Sequence, residues 1–119
     1  MNRLDTLLEQ IKTRPESIEF KDVIDTINDT YHYIPSRFTN GTAIDNIINQ
    51  PGENEASCKI FSFANIHQLD EHQTLHCFGK YYREDVLQQP DNDDHANIRA
   101  FIRHGWENIN FEGQALTKI

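Results

Sequence analysis

No stretch of the sequence carries the roughly 18 consecutive apolar residues that a membrane-spanning helix needs, so no bilayer span is expected. Residues 1–14 lack an uninterrupted apolar core and an A-x-A cleavage site, so no secretory signal peptide is expected either. Basic residues are scarce. Eleven Lys and Arg stand among 19 Asp and Glu, giving a net charge of −8, and they form no cluster. Polyanionic backbones and anionic membrane surfaces are bound by clustered cations, so nucleic acid and membrane are both excluded as expected partners. Cysteine occurs twice, at Cys58 and Cys77, without a CxxC pair. With no export signal, two reduced thiols in a cytoplasmic protein are expected. Glycine and proline number only five and four, and no linker or repeat separates the chain into parts. At 119 residues, residues 1–119 form one expected domain, large enough to bury a core unaided.

What is present is mostly helical periodicity. Leu4, Leu7, Leu8 and Ile11 make an i, i+3, i+4, i+7 stripe that Pro15 terminates. Phe20, Val23, Ile24, Ile27 and Tyr31 repeat the pattern in a second helix closed by Pro35. The period then changes. Phe38 and Thr39 suit a short strand before the Asn40-Gly41 turn signal, and Gln50-Pro-Gly-Glu53 is a loop. Ile44, Ile47 and Ile48 fit either a second strand or one helical turn.

Residues 55–68 are apolar nearly all round and read as a buried central helix rather than a strand. Glu53 and Glu55 favour its N-terminus, and Glu55–Lys59 is an i, i+4 pair. Asp70 with Gln73 forms a capping box for a fourth helix, whose stripe is Leu75, Phe78, Tyr82 and Val86. A fifth helix spans about 94–104, with Ile98, Phe101 and Ile102 inward and Gly105 at the C′ position. Ile109 and Phe111 suit a strand that pairs with Phe38-Thr39. The expected fold is α+β, mainly helical, with five helices around one core and a small antiparallel sheet of two or three strands.

Polar residues that could carry chemistry concentrate in three places. In Asp91-Asn-Asp-Asp94 the acidity suits a helix N-cap or first turn. A calcium loop fails there, because its sixth position is Ala96 and its twelfth Ile102. His95 and Arg99, one turn apart on a face bordered by Ile98 and Ile102, need partners. They form either a structural pair satisfied by carboxylates or a pocket in which Arg99 holds an anion and His95 moves a proton. His72 and His76 share a helical face, but Gln73 stands where a zinc protease has Glu, so two surface histidines and no metal are expected. In Tyr81-Tyr-Arg-Glu-Asp85, Tyr82 points inward, while Arg83 and Asp85 either cross-link helices or line the same pocket as Arg99. Cys58 and Cys77, set in apolar sequence, are expected in the core.

Asn54-Glu-Ala-Ser-Cys-Lys-Ile-Phe61, Cys77-Phe-Gly-Lys-Tyr-Tyr-Arg-Glu-Asp-Val-Leu87 and His95-Ala-Asn-Ile-Arg-Ala-Phe101 with Gly105-Trp106 resemble the HopJ type III effector family. Phe38-Thr-Asn-Gly41 and Phe111-Glu-Gly113 resemble it too, so the likeness runs over about residues 3–116. The resemblance implies a small bacterial protein named for secretion through a type III system. It implies no catalytic residues, cofactor or defined partner.

Three functions follow as expectations. The first is a soluble binding or effector-like module for an unidentified protein or small molecule. The second is a small enzyme acting on an anionic small molecule, with His95 as acid or base, Arg99 as anion clamp and Glu55 as second carboxylate. Its ligand would be bound by Asn54, Lys59, Tyr82 and Arg83. The third is a metal or redox site using His95, Glu55 or Cys58.

Overall fold

The structure is a computed structural model that describes residues 2–42 and 46–119. Helix α1 runs Arg3–Thr13 and starts where the Asn2 side chain accepts a hydrogen bond from the Asp5 amide. Pro15 ends it and opens a 3₁₀ turn, Pro15–Ser17, since proline at a first helical position loses no needed donor. Helix α2, Phe20–Thr30, packs on α1 and buries Val23, Thr26 and Ile27.

The second helix does not run on to Pro35. Tyr31–Tyr33 is strand β1, because Tyr-His-Tyr favours the extended form and Pro35 pushes the residue before it the same way. Its partner is β5, Leu116–Lys118, in antiparallel register with Tyr31 opposite Lys118. This second sheet was not expected from the sequence, since three-residue strands carry too little alternation to register. The expected sheet is also present. Strand β2, Phe38–Asn40, lies between β3, Ile47–Asn49, and β4, Ile109–Phe111, both antiparallel to it. Phe38 faces Phe111, with the rings stacked at 5.4 Å. Ile47 and Ile48 thus belong to a strand, whereas Ile44 lies outside the described residues.

Helix α3, Glu55–Ile66, is the central helix, and it buries Cys58, Ile60, Phe61, Phe63 and Ala64. Phe61 meets Phe38, Phe78, Phe101 and Trp106 within 6.3 Å. Asp70 caps α4, Glu71–His76, through the reciprocal box with Gln73. That helix does not continue to Val86. At Gly79 the backbone turns to φ +61°, and a Cβ there would lie 2.7 Å from the Phe20 backbone nitrogen. Only glycine allows α2 to approach so closely. The chain resumes as a π-helix, Tyr81–Val86. The wider turn still sends Tyr82 and Val86 inward, so the expected stripe is buried on a broken helix.

Helix α5 spans Ala96–His104, starting two residues later than the acidic run suggested. Ile98 and Phe101 are buried, but Ile102 is 44% exposed, because the nine-residue helix turns only a narrow face to the core. Gly105, at φ +65°, ends it, and its amide donates to Phe101 O.

Candidate functional site

Helices α3 and α5 begin alike. Asn54 (φ 49°, ψ 50°) precedes α3 and His95 (φ 51°, ψ 50°) precedes α5, both in the left-handed region. A capping side chain reaches the first-turn amides from an extended backbone, not from this one. Neither helix has a side-chain cap. The acidic run Asp91–Asp94 therefore does not cap α5. Instead Asp94 accepts from Arg99 through Oδ1 at 2.6 Å, and the guanidinium holds its carboxyl below the usual carboxylate range.

The two starts share one cleft of about 430 Å³. Asn54, Ala56 and Ser57 line it from α3, and His95, Ala96, Asn97 and Ile98 from α5. Phe20, Phe78, Tyr81 and Ile47 supply its apolar walls. The His95 ring lies 5.3 Å from that of Tyr81, and Nε2 is 3.0 Å from Asp85 Oδ2. A carboxylate there favours the proton on Nε2, which leaves Nδ1 as the acceptor.

Under the cleft lies an amide network that sequence reasoning missed. Asn40 Nδ2 donates to Asn97 O at 2.9 Å and to Asn97 Oδ1 at 3.1 Å. Asn49 Nδ2 donates to Asn97 Oδ1 at 3.1 Å, and Asn97 Nδ2 returns a bond to Asn49 Oδ1 at 2.9 Å. Asn54 Nδ2 donates to the same Asn49 Oδ1 at 2.7 Å. Asn40 and Asn49 are fully buried and Asn97 nearly so. The signal was available: Asn40 shares its strand face with Phe38, so an amide stands where the period-2 pattern puts a core side chain.

Of the residues expected to gather, Asn54 and His95 do so. Arg99 does not join them. Its Nε donates to Asp94 O at 2.6 Å, Nη1 to Pro90 O at 3.3 Å, and Nη2 to Asp85 O at 3.3 Å and to Asp94. The guanidinium is thus occupied by the end of the π-helix and the loop that follows it, beside a separate hollow of about 330 Å³ that Leu87, Pro90 and Ile102 also line. Glu55 is exposed in the first turn of α3 and is not part of the cleft lining. Lys59 donates to Asn28 Oδ1 at 3.0 Å and sits over the Tyr33 ring. Tyr82 packs on His76, and Arg83 ties the π-helix to Ile18 O and His76 O.

His72 and His76 do not form a solvated pair. Their rings are 4.6 Å apart, but His76 is buried, because the wider π-helix brings Tyr82 and Arg83 over it. Burial is the main cause that lowers its pKa. Among the described residues no three His, Cys, Asp or Glu side chains gather as metal ligands would. Cys58 and Cys77 are free and buried. Burial raises the Cys58 thiol and pushes Cys77 up to about 12, the opposite of what a nucleophile needs.

No curated protein matches the chain. A crystal structure described as that of the unknown function protein VPA0580 is similar at 46% identity, covering 100% of this chain and 95% of that one, with a TM-score of 0.94. The model of the HopJ type III effector protein family matches residues 4–116, nearly the whole chain, and the chain belongs to that family.

Proposed function

We propose that this HopJ-family protein is a single-domain binding module whose site is the cleft between the starts of α3 and α5, and that its ligand is a small organic acid. The carrying observation is the convergence of His95, held by Asp85, with two helix starts that lack side-chain caps. Uncapped first-turn amides are donors without intrahelical partners, and they favour anionic oxygen. Phe20, Phe78 and Ile47 would cover the apolar body of such a ligand. Two buried free thiols agree with the reducing cytoplasm as its place of work.

The test is titration of isotope-labelled protein with benzoate, acetate and inorganic phosphate, read at the amides of Ala56, Ser57, Ala96 and Asn97. Benzoate should move these four most, since it alone offers both a carboxylate and an apolar ring. His95→Ala should weaken that response about tenfold while leaving the fold intact. Shifts scattered elsewhere, or none at saturating benzoate, would refute the reading.

A second reading, a small enzyme, is favoured by the His95–Asp85 contact alone. With Nε2 engaged, His95 Nδ1 could take a proton from a bound ligand or water. In that reading Arg99 and Glu55, expected as partners of His95, would give way to Asp85. Turnover of a substrate that disappears in both His95→Ala and Asp85→Asn would establish it.

A further inference from the structure

We infer that Asn49 is a positioning residue that keeps the cleft open by withholding Asn54 from capping its own helix. This deepens the ligand-binding reading and rests on it. Asparagine is among the best N-cap residues, and at position 54 it stands directly before Glu55, the first residue of α3. Left to itself, its side-chain oxygen would accept from the Ala56 or Ser57 amide. Those two residues line the cleft.

The structure shows the alternative. Asn49 Oδ1 draws the Asn54 amide group away at 2.7 Å, and the Asn54 backbone is left-handed, a conformation from which it makes no cap. Asparagine tolerates this conformation better than other non-glycine residues, and the contact with Asn49 holds it there instead of in the extended form of a cap. Asn49 can do so because it is itself fixed. Its Nδ2 donates to Asn97 Oδ1 and its Oδ1 accepts from Asn97 Nδ2, with Asn40 closing the group from β2. Asn49 Nδ2 is engaged by Asn97 Oδ1 and Phe38 O, so Asn49 offers oxygen, not nitrogen, to Asn54. Strand β3 thereby holds the first turn of α3 uncapped. Through Asn97 the same network grips the first turn of α5.

The test compares Asn49→Ala, Asn49→Ala/Asn54→Gly and wild type by amide exchange at Ser57 and by benzoate titration. In Asn49→Ala, Asn54 is released, returns to an extended backbone and caps α3. Exchange at Ser57 should slow roughly fivefold, the worth of an ordinary cap, and the benzoate response there should be lost. In the double variant glycine accepts the left-handed turn and has no side chain to cap with, so both signals should return toward wild type. A general loosening of the fold would speed exchange rather than slow it. Unchanged or faster Ser57 exchange in Asn49→Ala, or a double variant that behaves like the single one, overturns the inference. If Asn49→Ala does not fold, Asn54→Asp serves at an exposed position. Aspartate cannot donate to Asn49, so Ser57 exchange should again slow, and no slowing overturns the inference. Slowed exchange with no benzoate binding in any variant, wild type included, would refute the ligand-binding reading and leave the role of Asn49 standing.

Discussion

Replacing Arg99 by methionine separates the two roles that an arginine beside His95 invites. Methionine keeps most of the aliphatic stem and the burial, and removes the guanidinium alone. Arg99 is 8% exposed and donates to three backbone carbonyls, those of Asp94, Pro90 and Asp85, at 2.6, 3.3 and 3.3 Å. A hydrogen bond from a charged group contributes about 1.5–3 kcal/mol when it is short and shielded, and the two longer bonds contribute less. Water reaches Pro90 and Asp94 in the exposed loop and offsets part of the loss. The expected cost is about 2–3 kcal/mol. For a chain of this length that is a fall of about 10 °C in Tm, with a matching drop in the urea midpoint at unchanged slope. The Asp94 carboxyl, now without its partner, should rise toward the ordinary carboxylate range. Benzoate shifts at Ala56 and Ser57 should persist, because Arg99 lies outside their cleft. A variant that melts within about 2 °C of wild type and yet loses the ligand response would refute this reasoning and restore Arg99 as an anion clamp.

Other outcomes follow from single positions. Gln68 is exposed at φ 54° just past α3, where glycine is preferred, so Gln68→Gly should raise stability by about 1 kcal/mol in thermal melts. Gly79→Ala should cost about 2–3 kcal/mol, since its Cβ would meet the Phe20 backbone 2.7 Å away at φ +61°. Gly105→Ala should cost at least as much, because φ +65° with ψ −163° is open only to glycine and its Cβ would push the Glu71 carboxylate off the Trp106 amide; a smaller loss than that of Gly79→Ala in urea titrations would contradict that order. His67 and His76 both have pKa values lowered mainly by burial from 6.5, so the folded protein takes up protons less readily than the unfolded chain. Their contribution is complete above about pH 6.5 and is lost as pH falls through the depressed folded values. Asp94, also lowered, adds a further loss at more acid pH, below 3.8. Urea midpoints between pH 7.5 and roughly 5 should therefore decline, and a flat profile would count against buried neutral imidazoles.

Sequence pattern carried the helices because their signals are long and redundant. The α1 and α2 stripes, the Asp70–Gln73 box and the glycine after α5 each express a rule that local chemistry alone enforces. The β2–β4 pairing was legible from Phe38 and Phe111, two aromatic ends looking for the same face. What escaped depends on distant contacts. Strand β1 reads as helix until Leu116 supplies its partner. The break at Gly79 is invisible until the Phe20 backbone arrives beside it. At the cleft, His95 stood out because histidine is chemically conspicuous. The asparagines beneath did not, because each one alone looks like a turn residue, and only the sheet shows Asn40 and Asn49 facing the core.

The two long-range strand pairings, β1–β5 and β2–β4, have a kinetic consequence. Tyr31 meets Lys118, and Phe38 meets Phe111, so each sheet joins segments from far ends of the sequence, while α1 packs on its immediate successor α2. Closing such long loops carries an entropic cost before any contact rewards it. The helical pairs can form early, and the ladders follow once most of the chain has collapsed. The asparagine network, hung between β2, β3 and the two helix starts, is then among the last features to assemble. A polypeptide that has acquired its helices would still lack its cleft.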